Sequence, residues 1–144
     1  MDSFRGFGGL ARPATASKNS WGAVQYTGAA RETTTVQAGT QSLKLPDAGT
    51  QFLMRVPVTA VSTTISLYCY READYTGTNP QMILRQPGQS DRTTTDAGSA
   101  SAWNQLTDTF TPAASPPYVD IFVRSSNTAA ATDFDVFFDS VSVS

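Results

Sequence analysis

The chain is built from short segments in which apolar and polar residues alternate, and this pattern most constrains its fold. The clearest segment is TTISLYCYR at 63–71, in which one face collects Ile65, Leu67 and Cys69. Strict alternation predicts a half-buried β-strand, because successive side chains of a strand point to opposite faces of the sheet. An apolar face of this kind has to be covered by a second layer.

Similar segments recur about every ten residues. Strands are predicted at 21–27, 41–45, 51–58, 63–71, 81–85, 103–110, 118–124 and 132–144. No segment has a convincing helical period, and threonine runs at 33–35 and 93–95 suit a pleated surface. Seven to nine short antiparallel strands at this spacing predict an all-β fold, a jelly-roll β-sandwich, as one domain over 21–144.

The connections carry further predictions. Pro57 inside its segment predicts an edge strand or a bulge. Loops are predicted at 74–80 and 86–101. The proline-rich stretch TPAASPP at 111–117 favours a connection that changes sheets, and a bulge is predicted near Asp139.

The first twenty residues show neither alternation nor a helical period. Glycines lie among large apolar and basic residues in FRGFGGLAR at 4–12. We predict that 1–20 is an extended N-terminal arm, which either stays a disordered tail or folds onto a partner. The partner-binding residues would be Phe4, Arg5, Phe7, Leu10 and Arg12.

Composition excludes several classes of function. The chain has no histidine, which removes the usual catalytic triads and the commonest zinc ligand, and we expect no enzyme. Cys69 is the only cysteine and is expected to be a buried thiol. The net charge of −2 argues against a function in binding nucleic acid. No apolar run is long enough to span a membrane. No secretory signal is present, which predicts synthesis in the cytoplasm.

Several aromatic residues are candidates for a sugar-binding platform. Tyr68 and Tyr70 lie opposite the apolar face of their strand, so they either bind a glycan or fill a core. Tyr75, Trp103 and Tyr118 belong to the same group, although Trp103 is more typical of a core residue.

Three aspartates near the C-terminus form the densest acidic group. Asp133, Asp135 and Asp139 could supply oxygen ligands to a calcium ion. They could equally form an outward polar face or protect an edge strand.

The last third of the chain resembles the closing strands of carbohydrate-binding modules with a jelly-roll fold. The matching pattern is a W-x-x-L-x-x-x-F strand at 103–110, then YVDIFVR at 118–124, then a final strand that contains Phe138, Asp139, Val141 and Val143. The resemblance implies that Asp139 could help to bind a structural calcium ion. No other cofactor is expected.

The same fold is used by sugar-binding modules and by proteins that decorate the capsids of tailed bacteriophages. The chain begins at Met1, has no export signal and is rich in Thr, Ala, Ser and Gly, which is more similar to the second group. We therefore predict a virion structural protein, a decoration or cement subunit on the capsid exterior, made in the host cytoplasm. Its partners would be the major capsid protein and neighbouring copies in a dimer or trimer. The alternative is a carbohydrate-binding module or glycan-binding adhesin.

Overall fold

The alternating segments form strands in a computed structural model of the chain. The structure describes residues 23–27, 30–45, 51–75, 77–125 and 135–144. These residues contain ten strands: β1 (Ala23–Thr27), β2 (Ala30–Glu32), β3 (Ser42–Leu45), β4 (Gln51–Pro57), β5 (Thr63–Arg71), β6 (Gln81–Arg85), β7 (Arg92–Thr95), β8 (Trp103–Phe110), β9 (Tyr118–Arg124) and β10 (Val136–Val143).

The strands form two five-stranded sheets. Sheet A has the order β1-β4-β9-β6-β7, and sheet B has the order β2-β3-β10-β5-β8. All pairings within the sheets are antiparallel. From β3 to β6 and again from β8 to β10, successive strands alternate between the sheets. This arrangement confirms the predicted all-β sandwich.

Two of the ten strands were not predicted as strands. β7 lies inside the segment 86–101, which was predicted as a loop, and β2 lies where no strand was predicted. The sequence of β7 is Arg-Thr-Thr-Thr, which has no apolar residue. Alternation cannot reveal such a strand, because it lies at the edge of its sheet and contributes no side chain to the core.

The core lies between the two sheets. Its main cluster joins the inward faces of β4, β6 and β9 to those of β5, β8 and β10. Among the fully buried side chains are Met54, Ile65, Leu67, Ile121 and Phe138. The inward face predicted for 63–71 is therefore correct.

The predicted connections can now be compared with the structure. Pro57 is the last residue of β4, which lies between β1 and β9 and pairs with β9 there without a shift, so neither the edge strand nor the bulge predicted from Pro57 is present. Proline is tolerated at this position because the described pairing of β4 with β1 ends at Met54, so no ladder hydrogen bond is lost on that side. The segment 111–117 does lead from sheet B to sheet A, and the pairing of β10 with β5 does shift after Asp139, so both of these predictions are confirmed.

The predicted arm, with Phe4, Arg5, Phe7, Leu10 and Arg12, lies outside the described residues, as does the proposed domain boundary near residue 21. In the described ranges, no helix is long and apolar enough to cross a membrane.

Cys69 is a buried free thiol, as predicted. It faces the core from β5, and burial raises the pKa of the thiol far above its ordinary value. A thiol in this position packs as a small apolar group and does not form the reactive thiolate.

The core predicts how two substitutions will differ. Leu67→Ala removes a fully buried side chain between the sheets, and we expect it to lower the free energy of unfolding by about 2–5 kcal/mol. Val61→Ala is the matched control, because Val61 is 60% exposed, and its effect should stay within about 0.5 kcal/mol. Urea unfolding of both variants measures the difference. Equal losses would contradict the assignment of Leu67 to the core.

Candidate functional site

The outer face of sheet A carries side chains in rows that run across its strands. The register pairs Asp120 of β9 with Arg55 of β4 on one side and with Arg85 of β6 on the other. Neighbouring strands lie about 4.8 Å apart, so laterally paired residues on one face are in reach of each other. Asp91, just before β7, extends this line. We call Arg55, Asp120, Arg85 and Asp91 the charged row.

Two bidentate ion pairs hold the charged row together. Arg55 Nε and Nη2 donate to the two carboxylate oxygens of Asp120 at 2.8 and 3.1 Å. Arg85 Nε donates to Asp91 Oδ1 at 3.0 Å, and Arg85 Nη2 donates to Asp91 Oδ2 at 2.8 Å. These side chains are about 40–50% exposed except for Asp120, which is 12% exposed. The row therefore presents alternating donors and acceptors to solvent with its charges balanced.

Two aromatic rings support the guanidinium groups of the row. The Arg55 guanidinium lies 3.8 Å from the ring centroid of Tyr118, and that of Arg85 lies 5.6 Å from the centroid of Phe122. The cation–π contacts and the two ion pairs hold the side chains of Arg55 and Arg85 from two sides. Arginine side chains that are already held in place lose little conformational freedom when a ligand binds, which favours affinity.

The next rows differ in character. Leu53, Phe122 and Ile83 are paired across β4, β9 and β6 and form a separate apolar cluster on this outer face. Beyond them, Arg124 of β9 donates to Gln81 of β6 at 2.8 Å. The outer face of sheet A thus alternates polar, apolar and polar rows.

The hydrogen bonds from Arg85 hold the pKa of Asp91 below its ordinary value of 3.8. In the same way, the hydrogen bonds from Arg92 at the start of β7 lower the pKa of Asp108 in β8. Both carboxylates therefore remain ionised and paired in mildly acidic solution.

The predicted glycan residues Tyr68 and Tyr70 lie on the opposite side of the molecule. They point outward from β5 in sheet B and are half-buried. The ring of Tyr70 lies 5.5 Å from that of Trp103 with a tilt of 51°, and 5.9 Å from that of Phe137 with an angle of 67°. Rings tilted in this way pack edges against faces and do not form one flat platform.

Two other aromatic predictions are corrected or refined by this geometry. Trp103 pairs with Tyr70 on the outer face of sheet B, so the prediction of a core position is wrong. Tyr75 belongs to the core cluster, and its hydroxyl donates to the carbonyl of Thr78 at 2.7 Å. Tyr118 is the member of the group that lies beside the charged row.

Asp139 is fully buried at the bulge of β10 and ties together distant parts of the chain. Its Oδ2 accepts hydrogen bonds from the backbone N–H groups of Gln37 and Ala38 at 2.9 and 3.1 Å, and its Oδ1 accepts from Ser140 at 2.6 Å. Ser140 has a φ of +54°, so the backbone takes a left-handed conformation at the bulge. Asp139 therefore anchors the loop between β2 and β3.

The surroundings of Asp139 do not fit the calcium ion that the resemblance implies. N–H donors point at both carboxylate oxygens, whereas calcium needs several oxygen ligands. In the part of the chain that the structure describes, no three His, Cys, Asp or Glu side chains are grouped to hold a metal. Asp135 instead pairs with Lys44 at 2.7 Å, and Asp133 lies outside the described residues. The calcium site stays a prediction.

Sequence reasoning did not identify the charged row. Its members lie at 55, 85, 91 and 120, so only the registers of β4, β9 and β6, together with the turn after β6, bring them together. A partial signal was present in YVDIFVR, because its outward positions carry Tyr118 and Asp120 between apolar inward residues.

In sequence, the chain matches no protein-family profile and no curated protein. In structure, it is similar to a family 16 carbohydrate-binding module, with a TM-score of 0.61 and 16% identity, over 94% of this chain and 99% of that one. It is also similar to a family 61 module solved with β-1,4-galactotriose, with a TM-score of 0.66 and 11% identity, over 99% of both chains. The chain therefore has the β-sandwich fold of carbohydrate-binding modules.

A third similar structure belongs to a bacteriophage protein. It is the enzymatically active domain of tailspike protein 4 of bacteriophage CBA120, with a TM-score of 0.54 and 8% identity. The match covers 82% of this chain and 17% of that one. At this identity the likeness concerns the fold alone.

The anchoring role of Asp139 can be tested by one substitution. Asp139→Asn replaces one carboxylate oxygen by an NH2 group, which cannot accept the hydrogen bonds made there, and we expect a loss of about 1.5–3 kcal/mol in the free energy of unfolding. Asp74→Asn, at an exposed loop position, is the control and should change stability by less than about 0.5 kcal/mol.

The wild-type protein should have the same melting temperature in calcium and in EDTA, because the backbone hydrogen bonds already satisfy the carboxylate of Asp139. A melting temperature that rises with calcium in the wild type, but not in Asp139→Asn, would show that this carboxylate binds the ion instead.

Proposed function

We propose that this protein is a carbohydrate-binding domain that holds a neutral polysaccharide on the outer face of sheet A. The charged row is the observation that carries the proposal. It places guanidinium forks and carboxylates side by side, and such groups can donate to and accept from neighbouring hydroxyls of a sugar. The similarity to carbohydrate-binding modules supports the same function.

The balance of charge favours a neutral ligand. In the charged row each guanidinium is paired with a carboxylate, so an anionic ligand would have to displace Asp120 or Asp91. Hydroxyl groups can instead share these partners, since each carboxylate oxygen and each guanidinium has further hydrogen-bonding capacity. A polymer that crosses β4, β9 and β6 would meet all four members of the row.

The proposal describes binding without catalysis. Arg55 and Arg85 cannot exchange protons near neutral pH, and the chain has no histidine. Asp120 and Asp91 are each held by an arginine that keeps the carboxylate occupied. The row is thus suited to hold hydroxyl groups in place.

The outer face of sheet A is preferred over the predicted Tyr68–Tyr70 site because of the neighbouring groups. Beside the tilted rings of sheet B, the ion pair that the structure describes is Lys44 with Asp135 at one end. A glycan there would meet apolar rings with fewer fixed donors and acceptors. Tyr68 and Tyr70 remain a predicted glycan site, which the binding assay described below also tests.

The capsid hypothesis stays a prediction. So do its predicted partners, the major capsid protein and neighbouring copies, and its predicted place on the virion. It depends on the segment 1–20, which lies outside the described residues. The comparisons favour carbohydrate binding.

A binding assay with paired variants tests the site. A glycan array that includes β-1,4-linked galactose oligomers and bacterial surface polysaccharides identifies a ligand for the wild type. Arg55→Met with Arg85→Met keeps the stems over Tyr118 and Phe122 but removes both guanidinium groups. We expect this double variant to bind at least about tenfold more weakly, since a hydrogen bond to a charged group contributes about 1.5–3 kcal/mol.

Arg31→Met is the matched control, because Arg31 is exposed on β2 of the other sheet. It should bind as the wild type does. An array without any glycan ligand would refute the function. Full binding by the double variant, with loss in Tyr68→Ala and Tyr70→Ala, would move the site to sheet B.

The pH dependence of binding follows from the same groups. Histidine is the side chain that ordinarily titrates between pH 5 and 8, and the chain has none. Because the pKa of Asp91 lies below 3.8, its pair with Arg85 is present at neutral pH and is lost only as the pH falls through that lowered value. Calorimetry should give a constant affinity from about pH 5 to 8. A sharp change near pH 6 would be inconsistent with this row as the site.

A further inference from the structure

A cavity of about 420 Å³ opens where the edges of the two sheets meet, and of the charged row only Asp91 lines it. It lies between the turn after β6, the start of β7 and the end of β8. This volume is within the range of sites for small ligands. Its lining includes Leu84, Asp91, Arg92, Thr109 and Phe110.

One wall of the cavity is apolar and fixed. Phe110 packs against the core cluster, and Leu84 is a buried member of that cluster. The guanidinium of Arg92 lies 5.3 Å from the ring centroid of Phe110. Arg92 is held in turn by a bidentate pair with Asp108, with Nη2 at 2.8 Å from Oδ1. The ring and the planar cation therefore form a rigid surface.

The remaining walls are polar. They are lined by Ser90 and Thr111, which carry hydroxyls, by Gln89 with its amide and by Asp91 with its carboxylate. The two ionic pairs at the cavity, Arg92 with Asp108 and Asp91 with Arg85, each have no net charge. A phosphate or another anion would find both guanidinium groups already paired. A neutral ring with several hydroxyls matches both the polar groups and the apolar wall.

Asp91 belongs both to this cavity and to the charged row. A polysaccharide that crosses β4, β9 and β6 along the row would reach the cavity at its end.

We propose that the cavity between β6, β7 and β8 binds the terminal ring of a neutral saccharide, so that the protein recognises a chain end. This inference rests on the proposed function and adds a second subsite to it.

Nuclear magnetic resonance of the ¹⁵N-labelled full chain tests the cavity directly. The probes are six neutral monosaccharides (glucose, galactose, mannose, xylose, rhamnose and N-acetylglucosamine), with galacturonate and inorganic phosphate as charged comparators. At least one neutral sugar should shift the amide signals of Ser90, Asp91, Thr109 and Phe110 in a saturable way, and the charged probes should not. No shift from any neutral sugar, or a larger shift from phosphate, overturns the proposal.

Two variants confirm the location. Ser90→Trp fills the cavity from an exposed turn position and should weaken sugar binding at least about tenfold. Thr107→Trp, on the outward face of β8, is the control and should leave binding unchanged. Phe110→Leu keeps an apolar side chain but removes the ring, and it should also weaken binding. Undiminished binding in both cavity variants overturns the proposal.

The two proposals fail in different ways. Loss of the cavity shifts with intact binding of polysaccharide to the charged row removes the chain-end subsite alone. Cavity shifts that persist while Arg55→Met with Arg85→Met binds polysaccharide normally remove the charged row alone.

Discussion

The alternation of side chains along β9 is the constraint on which both the core and the candidate site depend. β9 lies in the middle of sheet A, and its inward residues Val119, Ile121 and Val123 are fully buried. The residues between them, Asp120 and Phe122, form the centre of the outer face. A slip of one residue would exchange the two sets and place a carboxylate in the core. The burial of three apolar side chains therefore fixes the charged row in position.

Much of the fold could be predicted because it depends on local patterns. Alternation identified eight of the strand segments, and the proline-rich stretch 111–117 predicted the change of sheets. What could not be predicted depends on pairing between distant residues. Trp103 looks like a core residue until its register partner is known to be Tyr70, which faces outward. The charged row needs the registers of β4, β6 and β9 together, and no single segment contains them.

The fold and the function rest on different features of the sequence. At 11–16% identity, the carbohydrate-binding modules share the fold with this chain. Such a fold hosts many functions, so the chemistry of the exposed faces has to identify the ligand. Here the exposed charges of sheet A are paired and supported by aromatic rings, which favours a ligand rich in hydroxyl groups. The capsid hypothesis concerns residues 1–20, which are a different part of the chain from sheet A. The two hypotheses are therefore compatible in one protein.

A crystal structure of the full chain with an oligosaccharide selected on the glycan array tests the central claim most directly. The account predicts that the sugar lies across β4, β9 and β6, with hydroxyls bonded to Arg55 and Asp120. A sugar bound instead on the outer face of sheet B, over Tyr68 and Tyr70, would contradict it.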